Sequence, residues 1–187
     1  DGSIYAVASS EDSVVSAAKL GAHIVMFADR PWEMRLPVIE KGRQLHRDIH
    51  GTEPPHPMLT EFVVCGTALD ECEEEARQYQ GKFVESNFYH YEFLGEHFAS
   101  VKGYDSYQQK AEIARVAGID GAIEGFMKAA SWGTPEKILR GFEERRAVLG
   151  EFELNVAFRF GGTPFNVAER GLKLFAKEVL PVLKSWN

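Results

Sequence analysis

Short, continuous apolar runs alternate along this chain with longer stretches whose apolar positions recur at helical spacing. Ile4-Tyr5-Ala6-Val7-Ala8 reads as a strand, and Val14, Val15, Ala17, Ala18 and Leu20 mark the helix that follows, ending near Gly21. His23-Ile24-Val25-Met26-Phe27-Ala28 is an unbroken run suited to a parallel strand buried on both faces. Asp29-Arg30-Pro31-Trp32 reads as a loop, and residues from about 33 to 50 as a helix despite Pro37. After the Gly-Thr-Glu-Pro-Pro-His-Pro punctuation of 51–57, Met58 to Cys65 is a third strand and about 69–86 a long helix.

The stretch from Phe88 to about Gly125 is less regular and rich in aromatic residues and glycine. Thr134, Pro135 and Glu136 form a clear helix start, with Thr134 as cap and Pro135 in the first turn. That helix runs to about Leu149. Phe152 to Phe160 is the fourth strand, and a last helix begins near Asn166. Repeated strand–helix units imply a parallel sheet. Four of them make half of a (β/α)₈ barrel, which takes about 250 residues when complete, or else a small open α/β sheet.

Composition narrows the function classes. The chain has 187 residues, enough for one domain with a sizeable core. Its 21 basic against 28 acidic residues leave a net charge of −7, which argues against nucleic acid and anionic membrane surfaces as partners. No apolar run approaches a membrane span, and Asp1-Gly2-Ser3 does not open a signal peptide. Cys65 and Cys72 show neither a disulfide framework nor a zinc spacing, so a reducing cytoplasm is expected. Asp1 is not a translational start, and the first strand follows almost at once; a piece of a longer chain is expected.

Candidate chemistry concentrates after the first strand, at Ser9-Ser10-Glu11-Asp12-Ser13. Serine and aspartate at a helix start cap the orphan N–H groups of the first turn. The same serines, beside the positive end of the helix dipole, also make a cradle for a phosphate. His46 and His50 share a helix face, but Arg47 stands where a zinc protease needs glutamate, so they read as surface histidines. The acidic run from Asp70 to Glu75 reads as a solvated helix face, and no Gly-x-Gly-x-x-Gly, P-loop or Gly-x-Ser-x-Gly is present.

Four stretches together resemble the C-terminal half of the bacterial luciferase-like family of flavin-dependent monooxygenases. They are Tyr5 to Ser10 with Ala17-Ala18-Lys19-Leu20-Gly21; Lys102-Gly103-Tyr104; Trp132 to Ile138; and the ending Leu172 to Lys184, with its Leu-Phe-Ala-x-Glu-Val-x-Pro core. The resemblance spans almost the whole chain, 1–187, in order, and implies strands five to eight of a TIM (β/α)₈ barrel. It implies that Ser9, Ser10 and Ser13 approach the phosphate of reduced FMN, and that Val7, Ala8, Val25 and Ala28 lie along the flavin. Some relatives carry an acidic residue where Ser9 stands and a tryptophan where Ala28 stands, so Trp32 is a candidate to fill the ring pocket. Tyr104 and Phe160 become candidate substrate-pocket residues, and 97–125 corresponds to a mobile active-site loop.

The activity so implied is oxygen activation on a small organic substrate, with reduced FMN supplied by a separate flavin reductase. The catalytic groups would lie mostly in the absent half. Two alternatives stay open: a deazaflavin-dependent hydride-transfer oxidoreductase, and a non-catalytic flavin-binding or subunit-partner protein of the same fold. A half barrel also exposes sheet edges that invite pairing, so a dimer, or association with the missing N-terminal half, is expected.

Overall fold

A computed structural model describes residues 3–91 and 105–186. The sheet elements are β1 (Tyr5–Val7), β2 (His23–Phe27), β3 (Met58–Phe62), β4 (Val64–Cys65), β5 (Trp132–Gly133) and β6 (Glu153–Ala157). The helices are α1 (Glu11–Lys19), α2 (Leu36–His50), α3 (Leu69–His90), α4 (Asp105–Ala129), α5 (Pro135–Leu149), α6 (Phe165–Leu174) and α7 (Leu180–Lys184). A 3₁₀ turn, Trp32–Met34, precedes α2, and Pro37 is accommodated because it falls in the first turn of that helix.

All four main strands are parallel, in the order β1-β2-β3-β6, as repeated strand–helix units require. One face, carrying Ala6, Ile24, Met26, Leu59 and Leu154, packs against α1, α2 and α5 through Val14, Ala17, Ile39 and Leu149. The other face carries the rows Tyr5–His23, Val7–Val25–Met58 and Phe27–Thr60–Asn155. Over β1 and the N-terminal part of the sheet this face is open, with Val7 64 % and Tyr5 47 % exposed. The sheet is curled: the Tyr5 hydroxyl on the first strand donates to Glu153 Oε2 on the last at 2.9 Å, and His23 Nδ1 lies 2.7 Å from Glu153 Oε1. The Glu153 carboxylate raises the Tyr5 hydroxyl above its ordinary value by accepting this bond. A curled parallel sheet, helices outside and apolar residues exposed within, is the geometry of half a barrel.

Several elements differ from the sequence reading. The expected strand 58–65 breaks at Val63, because β6 ends at Ala157 and offers no further partner. Val63 N still bonds Ala157 O, but Val64 and Gly66 turn to Ser131 and Gly133, creating the β4–β5 pair. The expected fourth strand, 152–160, is shortened to Glu153–Ala157, α3 continues to His90, and residues 105–129 are helical, interrupted at Gly118 with φ +69°. The abundant small residues that made this stretch look irregular let helices approach, as where Ile123 on α4 meets Gly81 on α3. At the C-terminus a π turn, Phe175–Val179, separates α6 from α7 just before Pro181, whose missing N–H cannot join a regular ladder.

A buried charge ties these layers together. Glu61 on β3 is fully buried on the helix side; its Oε2 accepts from the Ser131 hydroxyl at 3.0 Å. Arg145 of α5 stands 3.1 Å from Oε1, off the line of an ideal hydrogen bond, and donates through Nη2 to Ala129 O. Burial raises the Glu61 carboxyl from 4.5 to about 7, while Arg145 and Ser131 pull the other way.

Two measurements check this account. Gly161 has φ +54°, and a Cβ there would lie 1.9 Å from Tyr79 O, whereas Gly51, at φ +66°, has open space around it. Gly161→Ala should therefore cost about 3 kcal/mol or more and Gly51→Ala about 1 kcal/mol in urea unfolding; equal costs would disprove the close approach. Because the folded state holds the Glu61 proton more tightly than the unfolded chain, stability from this site is full below pH 4.5 and declines as pH rises through about 7. Glu61→Gln should flatten that part of the stability profile, and a variant that keeps the wild-type slope would refute the assignment.

Candidate functional site

In a parallel sheet every strand ends on the same edge, so residues distant in sequence gather there. The three serines after β1 stand at that edge. Ser10 is the N-cap of α1, with extended backbone, and forms a capping box with Ser13. Ser13 N–H donates to Ser10 Oγ at 3.4 Å, Ser10 N–H to Ser13 Oγ at 3.0 Å, and the two hydroxyls lie 2.9 Å apart. The Ser13 hydroxyl also reaches Ser10 O at 2.8 Å. Capping is thus a real local role for these two residues.

Ser9 differs. Half-buried beside them, its side chain has no hydrogen-bond partner among the described residues. It stands next to the first-turn N–H groups of Glu11 and Asp12, which have no intrahelical carbonyl to meet. The Glu11 carboxylate is drawn away to Lys41, which offsets part of the negative charge at this helix start. A free hydroxyl, two unpaired amides and a helix dipole form a donor set that fits a phosphate. The residues present therefore fit the phosphate end of a flavin or deazaflavin.

The other sequence candidates fall into two layers. Val7 and Val25 are paired in register on the open face, leading up to the serine edge. Ala8 and Ala28 are fully buried on the helix side, and their N–H groups are spent on Val25 O and Thr60 O. Trp32 is also on the helix side, packed in the same core cluster as Ala28 and Ile39, so the structure does not bring it to Val7 and Val25. Phe160 is buried in an aromatic core with Phe62, Phe83 and Phe126. Tyr104, and the part of 97–125 before Asp105, lie outside the described residues.

The aromatic group at the strand ends escaped the sequence reading. Phe27 stacks on Phe62 with centroids 6.1 Å apart, and Phe62 meets Phe83 of α3 at 4.3 Å and Phe160 at 5.3 Å edge-on. Phe27 remains 37 % exposed, so this wall begins in the core and ends at the open face. The period-two spacing of Phe62 with Thr60 and Met58 was the available signal. Beside it, buried Arg35 donates to Phe27 O at 3.2 Å and pairs with Asp29, which fixes the loop after β2. Burial lowers the Arg35 guanidinium below its usual value, with Asp29 opposing. His46, expected at the surface, is buried, its ring tilted against His50 with centroids 4.6 Å apart, and His50 Nε2 bonds Ala18 O at 2.9 Å, pinning α2 to the end of α1. No group of metal-binding side chains occurs among the described residues.

No family model and no curated protein matches this chain by sequence. Solved structures do match. The monooxygenase RslO1 from Streptomyces bottropensis superposes with a TM-score of 0.62 at 18% identity, over 97% of this chain and 48% of its own. The oxygenating constituent of 3,6-diketocamphane monooxygenase from Pseudomonas putida, solved with FMN, gives 0.60 at 14% identity, over 96% and 48%. The coenzyme F420-dependent tetrahydromethanopterin reductase from Methanopyrus kandleri gives 0.58 at 18% identity, over 95% and 50%. The chain spans about half the length of these structures. A curled parallel sheet of four strand–helix units and these superpositions agree: the chain has the fold of half a TIM (β/α)₈ barrel, shared with these monooxygenases and this reductase.

Proposed function

We propose that this chain is the cofactor-holding half of a flavin-dependent oxidoreductase: a monooxygenase that acts on a small organic substrate with reduced FMN and molecular oxygen. The observation that carries the reading is the free Ser9 hydroxyl at the start of α1, directly beside the open Val7–Val25 strip. Reduced FMN, when bound, supplies the electrons for oxygen activation. Ser9 and the Glu11 and Asp12 amides would donate to its phosphate, while the Ser10–Ser13 capping box holds that turn in place. Val7 and Val25 would offer the flat ring an apolar bed, and the Phe27–Phe62 stack would keep water from one side of it.

A deazaflavin-dependent hydride-transfer enzyme is the second reading. It is favoured by the equal likeness to the coenzyme F420-dependent reductase and by a donor set that any phosphate-bearing cofactor could use. In either case the open sheet face and its two unpaired edges would be covered by the rest of the barrel or by a second copy. We place the protein in the cytoplasm, where its two buried free thiols persist and a separate flavin reductase would deliver reduced FMN. No helix among the described residues is long and apolar enough to cross a membrane.

Titration with FMN, riboflavin and the deazaflavin cofactor, followed by fluorescence, tests the reading. Binding of FMN in preference to riboflavin is expected. Ser9→Ala should weaken FMN about tenfold, the loss of one hydrogen bond to a charged group, and leave riboflavin unchanged. Ser10→Ala and Ser13→Ala should do the same at an added cost of about 1 kcal/mol in cap stability. Equal losses for FMN and riboflavin would overturn the phosphate assignment, and tighter deazaflavin binding would select the second reading. FMN binding without turnover in the completed barrel would favour a non-catalytic flavin protein. Alone, the chain should sediment as an oligomer at micromolar concentration; a well-behaved monomer would contradict the open-face argument.

A further inference from the structure

A second concavity lies on the opposite, helix-covered side of the sheet. It encloses about 440 Å³, within the range of small-molecule pockets, between α5, the 3₁₀ turn at Trp32 and the segment 127–132. Two indoles, Trp32 and Trp132, line it. The Trp132 ring is held in place, its N–H donating to Met127 O at 2.8 Å.

Besides Arg145, which pairs with Glu61, three cations, Lys128, Lys137 and Arg140, share this lining, and none of the three has an ion-pair partner among the described residues. That is a notable gathering in a chain of net charge −7. Lys137 is the least comfortable of them. It sits in the first turn of α5, where the helix dipole opposes positive charge, and Arg140 is less than one turn away. Its amine rests on the face of the Trp132 ring. Burial lowers the Lys137 amine below its usual value and Arg140 adds to this, with Glu73 and Cys72 opposing. Glu33 and Glu144 also line the cavity as exposed carboxylates, without an ion-pair partner among the described residues. They leave a small positive excess, which suits a monoanion better than a dianion.

We propose that this cavity binds a small aromatic carboxylate, its ring against Trp132 and Pro31 and its carboxylate on Lys137 and Arg140. An anion there relieves the unfavourable placement of Lys137, and the Trp132 indole with Pro31 provides the apolar surface a flat ring requires. The lining shares no residue with the serine turn, so the proposal does not depend on the flavin reading.

The test is a titration of the 187-residue chain with naphthoate and with its neutral isostere naphthamide, following the indole N–H resonances by NMR. Naphthoate should shift the Trp132 resonance and leave Trp186 unmoved, and should bind about tenfold more tightly than the amide. Arg140→Gln, at an exposed position, should abolish that preference while the protein stays folded, and Lys137→Gln should do likewise. Ser9→Ala should change nothing here. Equal affinity for acid and amide, a preference that survives Arg140→Gln, or shifts confined to Trp186 would each overturn the proposal. Should Lys137→Gln fail to fold, Arg140→Gln alone decides.

Discussion

The feature on which the rest of this structure depends is a curled parallel sheet whose crossover helices cover one face and leave the other open over β1 and β2. Parallel strands need crossover helices, and those helices bury Ala6, Ile24, Met26, Leu59 and Leu154 beneath α1, α2 and α5. Curling brings Tyr5 on the first strand to Glu153 on the last. Together these leave a concave face, apolar along Val7, Val25 and Phe27, and they place every strand end on one edge. The candidate cofactor site is a consequence of that edge, since the serines, the Val7–Val25 strip and the Phe27–Phe62 stack come from three different strand ends.

Within the candidate site, capping and free donor capacity divide between neighbouring residues. Ser10 and Ser13 satisfy each other and the helix start, which fixes the turn geometry. Ser9, one residue earlier, has a hydroxyl with no partner among the described residues. A turn rigidified by its own hydrogen bonds presents its free donors without further ordering cost, which is what pre-organised recognition of an anion requires.

Off the open face, charge is handled in two contrasting ways. Glu61 is buried with partners on β5 and α5, a network that joins sheet and helix layers. Lys137, Lys128 and Arg140 instead meet at a cavity without ion-pair partners among the described residues.

The succession of strands and helices, the parallel topology and the serine-rich helix start were legible in the sequence, because periodicity and cap chemistry are local. Thr134 and Pro135 announced α5 for the same reason. Which face each residue occupies was decided by the tertiary structure. Ala8 and Ala28 looked like companions of Val7 and Val25, yet the pleat turns them into the helix layer, and Trp32 follows them there. The break at Val63 came from the length of a neighbouring strand, which no local pattern records. Pairing of Glu61 with Arg145, and the convergence of cations on one cavity, join residues brought together only when helices pack on a sheet. Sequence determined what could form locally, while packing decided which polar groups found partners and which did not.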